Sequence, residues 1–113
     1  MTSECIFCRI VSGEIPAEIV RREDGVVAFR DINPQAPTHV LLVSEDHYPD
    51  VVALAAADPQ VLATMVRIAA DLAKGDADGQ FRLVFNTGAT AGQSVFHVHA
   101  HVLGGRSMAW PPG

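Results

Sequence analysis

Near the end of the chain, Val95-Phe96-His97-Val98-His99-Ala100-His101-Val102-Leu103 alternates histidines with apolar residues. A period of two suits a strand, where residues two apart share a face, and does not suit a helix. The segment therefore reads as a strand over 95–103. One side packs Val98, Ala100 and Val102, and the other carries His97, His99 and His101. A lone histidine is ordinarily a surface or satisfied core residue. Three in register on a core-like strand are costly to keep, because imidazole titrates near neutrality. The strand rise separates the outer two by roughly 13 Å, so one zinc with bonds of about 2 Å does not easily gather all three. Two neighbours sharing a metal, or one metal ligand beside a chemically active imidazole, both stay open.

The rest of the chain supplies the sheet around this strand. Residues 5–11 read as a short apolar helix or turn, ended by Gly13 and Pro16. Residues 17–22 and 25–30 read as a hairpin turning at Glu23-Asp24-Gly25. Asn33 to Pro37 is a proline-bounded loop, 38–44 a strand and 81–86 another. Asp58 as N-cap and Pro59 at the first helical position begin a helix, which Lys74 and Gly75 close. Five strands, one long helix and short connections predict an antiparallel α+β domain, not a doubly wound parallel one. The helix is apolar at nearly every position from Val61 to Ala73, interrupted mainly by Thr64, Arg67 and Asp71. That exceeds the single stripe needed to cover its own sheet. The excess calls for a second partner, most simply a symmetric copy.

With 113 residues, 49% hydrophobic and 19% charged, the chain is expected to form one domain over 1–113 and not a disordered segment. Its net charge of −5 argues against a nucleic-acid or anionic-membrane partner. No run reaches the roughly 18 apolar residues of a membrane span. Met1-Thr2-Ser3-Glu4 has no basic n-region, so no signal peptide is read and the cytoplasm is the expected compartment. Cys5 and Cys8 form a C-x-x-C, for which a reducing compartment disfavours a structural disulfide. Redox chemistry, half of a metal site and chance are the three readings. Redox is the weakest, because no strand precedes the pair.

The loop 87–94, Thr-Gly-Ala-Thr-Ala-Gly-Gln-Ser, has glycines and hydroxyls but lacks the G-K-[ST] of a P-loop. Backbone N–H groups from Gly92 to Ser94 suggest a small anion nest. Such donors beside a neutral imidazole suit nucleophilic attack on phosphorus, with a hydroxyl helping the leaving group.

Gly92-Gln93-Ser94-Val95-Phe96-His97-Val98-His99-Ala100-His101-Val102-Leu103 resembles the signature of the histidine triad (HIT) superfamily. Glu14-Ile15-Pro16-Ala17, the run from Asp31 to His39, and the tail Leu103-Gly104-Gly105-Arg106 with Trp110-Pro111-Pro112-Gly113 are similar to the histidine triad nucleotide-binding (Hint) branch. Ala109 departs from that branch, where a polar or basic residue is frequent. The resemblance implies a five-stranded antiparallel sheet with one long and one short N-terminal helix, and a homodimer whose sheets join. It also implies a purine nucleotide site for AMP and AMP conjugates. By position, His99 matches the nucleophile, His101 a phosphate contact, and His39 a helper orienting His99. His97 is the first histidine of the triad. Asp31 matches the carboxylate on the ribose hydroxyls, with Ile32 beside the base. Asn86, Gly92, Gln93 and Ser94 match phosphate contacts, and Ser94 is placed for the leaving group.

The cysteine pair resembles the opening of other bacterial histidine triad proteins. That likeness implies a structural zinc on Cys5, Cys8, His47 and His97. The activity implied is hydrolysis of adenosine 5′-phosphoramidates or acyl-adenylates through an adenylyl-histidine, releasing AMP. A dinucleoside polyphosphate hydrolase, or a nucleotide-binding interaction module with incidental turnover, are the alternatives.

Overall fold

In the computed structural model, which describes residues 5–113, each apolar run finds its partner by alternation. Helix α1 is Ile6–Val11; strands β1 (Ile19–Glu23), β2 (Val26–Arg30) and β3 (Thr38–Ser44) follow. Helices α2 (Val51–Ala57) and α3 (Pro59–Asp76) come next, then β4 (Arg82–Phe85) and β5 (His99–Gly104). The five strands form one sheet in the order β1-β2-β3-β5-β4, every neighbouring pair antiparallel. This is the α+β arrangement predicted above. Met1 to Glu4, where no signal peptide is expected, lie outside the described residues. No single helix among the described residues is long and apolar enough to cross a membrane.

The β1–β2 hairpin closes through Asp24 and Gly25, with φ of +46° and +85°. Two consecutive left-handed residues are what a two-residue hairpin turn requires. Strand β3 is buried along its whole length between β2 and β5. One face of the sheet packs Val26, Ala28, Val40, Leu42, Ala100 and Val102 on Leu54 of α2 and Met65, Ile68 and Ala69 of α3. The opposite face carries Val27, Phe29, Leu41 and Val43, covered by Phe7 and Ile10 of α1. On β3 and β5, His39, His99 and His101 occupy alternate positions with Leu41 and Val43 and fall on this second, thinly covered face.

Three expectations change. The last strand begins at His99, so His97 precedes it in a bend instead of lying on it. The long helix continues through Gly75 to Asp76. It stops where Asp78 and Gly79 adopt φ of +53° and +75°, and the Ala77 and Gly79 N–H groups bond back to the Ala73 carbonyl at 2.8 and 2.9 Å. Those left-handed residues terminate the helix, while Gly75 is merely tolerated inside it. An additional helix, α2, starts at Asp50, whose side chain accepts from Ala53 N at 2.9 Å. Asp58 ends α2 and caps α3, accepting from Val61 N at 3.3 Å. Of the apolar residues of α3, Met65 is fully buried against the sheet and Val66 faces outward, 46% exposed.

Candidate functional site

Cys5 is the N-cap of α1, its Sγ accepting from Cys8 N at 3.3 Å, so one helical turn brings both sulfurs together. His97 enters from the bend before β5 and His47 from the loop after β3. The four donor atoms lie within 4.8 Å of one another. Cys5 Sγ is 3.2 Å from His97 Nδ1, and Cys8 Sγ is 3.4 Å from both His97 Nδ1 and His47 Nδ1. Bonds of about 2.1 and 2.3 Å at tetrahedral angles would set donors about 3.5 Å apart, so this set can hold a metal ion with little movement. The fully buried His97 turns Nε2 to the Ser44 carbonyl at 2.7 Å. Donation there puts its proton on Nε2 and leaves the Nδ1 lone pair toward the sulfurs, the usual outer support of a metal-ligating histidine. The Cys8 thiol is pushed up to about 11 by desolvation and then by the adjacent Cys5 sulfur. A cation would relieve that crowding of sulfurs.

The second centre shares His97. His99 is buried, and its Nδ1 lies 2.8 Å from the His97 carbonyl. Carbonyls only accept, so the His99 proton sits on Nδ1 and the lone pair on Nε2. A similar argument fixes the neighbouring pair. Gln35 N donates to His39 Nδ1 at 2.9 Å, which places the His39 proton on Nε2. That N–H faces His101 Nδ1 at 3.0 Å and Asp31 Oδ2 at 3.4 Å. His101 is therefore the acceptor at Nδ1 and a donor at Nε2. Asp31, His39 and His101 also converge like metal ligands. With Nε2 of His39 protonated, they form a hydrogen-bond chain instead. His39 thus contacts His101 directly, and the His101 ring stands between it and His99, centroids 5.2 Å apart.

Burial lowers the His39, His97 and His101 pKa values from the ordinary 6.5. Asp31 opposes the shift at His39 and at His101; His99 and His39 deepen it at His101. At His97 the Ser44 hydrogen bond opposes burial. An unfolded chain then binds more protons just below pH 6.5 than the folded one, so stability rises with pH through that window. Melting temperature should be level between about pH 7 and pH 8 and fall progressively as pH drops below about 6.5. A melting temperature that rises on acidification would contradict neutral histidines in the fold.

Beside the histidines runs an apolar cleft of about 180 Å³ lined by Ile6, Phe7, Ile10, Phe29, Asp31 and Ile32, among others. Ile32 is almost wholly exposed at its rim. Asp31 Oδ1 accepts from Asn33 N at 2.8 Å. The Phe7 ring meets His99 edge-on, centroids 4.9 Å apart. Two of the three N–H groups of the expected nest, those of Gly92 and Gln93, are used within the loop before β5. Gly92 N donates to Ala89 O at 3.0 Å and Gln93 N to Gly88 O at 3.0 Å, so neither N–H is free for an anion. The Gln93 side chain is also engaged within the protein. It accepts from Gly88 N at 2.9 Å and donates to Pro49 O at 2.7 Å and Val95 O at 3.1 Å. Gln93 therefore holds the loop's shape instead of presenting its amide to a phosphate. Gly92, at φ +101°, lets the chain turn under Asn86, whose Nδ2 would stand 3.6 Å from a Cβ there. Ser94 is exposed at the loop's end, and Asn86 is half-buried at its start. Sequence reasoning missed Phe7, Ser44 and the Gln35 N–H. Only Phe7, apolar between two cysteines, carried any signal.

The HIT domain family matches residues 12–108. The purine nucleoside phosphoramidase of Escherichia coli is 44% identical over 110 residues, covering 96% of this chain and 92% of that protein. An uncharacterized HIT-like protein of Synechocystis is 48% identical over 117 residues, covering 100% of both. A crystal structure of a HIT family hydrolase from Legionella pneumophila superposes with a TM-score of 0.91 at 44% identity, over 97% of this chain and 100% of that one. A histidine triad protein from Clostridium difficile gives 0.86 at 36% identity, over 94% of each.

Proposed function

The chain belongs to the HIT domain family and is a hydrolase of that family, and from that premise we propose that it cleaves P–N bonds of adenosine 5′-phosphoramidates through an adenylyl-histidine. The observation that carries this reading is the 2.8 Å contact of His99 Nδ1 with the His97 carbonyl, which leaves Nε2 as the nucleophilic nitrogen. His99 Nε2 bonds to the α-phosphorus as the P–N bond breaks, and the leaving nitrogen takes up a proton through the Ser94 hydroxyl. Water then attacks the phosphorus and gives up a proton that restores the one spent on the amine, the His99–P bond breaks, and AMP leaves. His101, made a donor at Nε2 by the His39 chain, stabilises charge on a non-bridging oxygen. The apolar cleft suits a purine, and Asp31 suits the ribose hydroxyls. Acyl-adenylates would follow the same course.

A zinc on Cys5, Cys8, His47 and His97 would be structural, because four protein ligands leave no open position. It would join α1 to the bend that carries the His97 carbonyl. We take 1–113 as one HIT domain working in the reducing cytoplasm, where Cys5 and Cys8 stay reduced and free of a disulfide. We also read it as a homodimer, supported by the outward Val66 of α3 and by Trp110, 82% exposed in the tail.

The test of the leaving-group half is Ser94→Ala. It should slow a phosphoramidate with a basic amine by about a hundredfold and a p-nitrophenyl ester by less than about threefold, because only the poor leaving group needs a proton. Equal slowing of both would assign Ser94 to phosphate positioning alone.

A further inference from the structure

Helix α1 is a wall common to two sites. Its N-cap Cys5 and its Cys8 supply two of the four metal donors, while Ile6, Phe7 and Ile10 between and beyond them line the apolar cleft. Phe7 touches both centres, its ring 6.0 Å from that of His97 and 4.9 Å from that of His99. A six-residue helix has no stability of its own and takes its position from its attachments. On the sheet side these are the buried Phe7 and Ile10. Its N-terminal half is otherwise tied by the sulfurs that meet His47 and His97, residues from two distant parts of the chain.

We propose that metal occupancy of Cys5, Cys8, His47 and His97 sets the seat of α1 and thereby the affinity of the cleft for nucleotide, so that zinc and AMP bind with positive cooperativity. The proposal rests on the reading of the cleft as a nucleotide site. A bound metal fixes the spacing from Cys5 to Cys8 and draws that turn onto His97. This holds Phe7 against His99 and keeps the apolar wall at the width of a purine. Nucleotide that fills the cleft holds the same wall from the other side. By linkage, each ligand must then raise the other's affinity by one common factor.

Calorimetric titration with AMP should give an affinity roughly tenfold weaker for the chelator-stripped full chain than for the zinc-loaded one. Competition for zinc against a chromophoric chelator should show the same factor, zinc being held about tenfold more tightly at saturating AMP. Phe7→Ala, which keeps every metal donor, should bind zinc equally with and without AMP at a concentration shown by calorimetry to saturate that variant. That variant separates a wall effect from a general gain in folding, which would persist in it. AMP binding equally to loaded and stripped chains, or full coupling retained in Phe7→Ala, would overturn the proposal. AMP binding to neither form would instead overturn the reading of the cleft on which it rests.

Discussion

Substitution of the central histidine, His99→Ala, should lower turnover of an adenosine phosphoramidate by at least about a thousandfold while AMP still binds within a few-fold of the native affinity. The asymmetry follows from where the contacts lie. The cleft that would receive the base and ribose is built from Ile6, Phe7, Ile10, Phe29, Asp31 and Ile32; Phe7 loses its edge-on contact with the His99 ring and keeps its packing on Phe29. Only the covalent step needs Nε2. His101→Ala should be milder, removing a charge-stabilising donor and leaving the nucleophile in place. A His99→Ala chain that keeps more than about a tenth of native kcat would contradict the assignment.

Cys5→Ser should produce the largest loss of stability. The serine hydroxyl can still cap α1 in place of the sulfur that accepts from Cys8 N at 3.3 Å. What it cannot replace is a thiolate donor, so the substitution separates the metal from the helix cap. Native protein purified without chelator should carry close to one zinc per chain, and the variant none. Loss of a structural metal removes folding free energy outright, and a melting temperature lower by more than about 10 °C is expected. Metal-free native protein with unchanged melting would contradict a structural role. A proportionate fall in turnover without any loss of stability would do the same.

The fold was legible wherever the alternation was strict. The strand over 38–44 and the hairpin at Asp24-Gly25 stand where pattern and turn chemistry put them. The start of the last strand did not, because His97 continues the alternation by sequence while its ring is drawn to the Cys5–Cys8 cluster and the next N–H, that of Val98, bonds Tyr48 O at 2.7 Å outside the sheet. Tertiary demands there interrupt the ladder. Helix α2 escaped notice because seven residues make only two turns, too few for a periodic signal. Gly75 misled because glycine signals a stop only when the chain adopts a left-handed conformation, and that happens at Asp78 and Gly79.

The candidate site was legible as residue types, less so as partners. The C-x-x-C, His47 and His97 come together as the family resemblance implied, although 92 residues separate Cys5 from His97. The hydrogen-bond economy of the loop was not readable. Nothing in Gly92-Gln93 indicates that both N–H groups and the amide would be engaged internally, because those partners, Gly88, Ala89, Pro49 and Val95, are chosen by the folded loop. Nor does the sequence reveal that the backbone of Gln35 and the carbonyls of Ser44 and His97 assign the protons of three histidines.

The central claim is that His99 Nε2 becomes bonded to phosphorus. Rapid quench of native protein turning over an adenosine phosphoramidate into alkaline denaturant, which preserves the acid-labile P–N bond, followed by proteolysis and mass spectrometry at alkaline pH, tests it directly. One adenylyl group should appear on the peptide containing residues 95–103, with fragmentation placing it on His99, and it should vanish in His99→Ala. An adenylyl group on His101 or His97, or none at any quench time while AMP accumulates, would contradict the account.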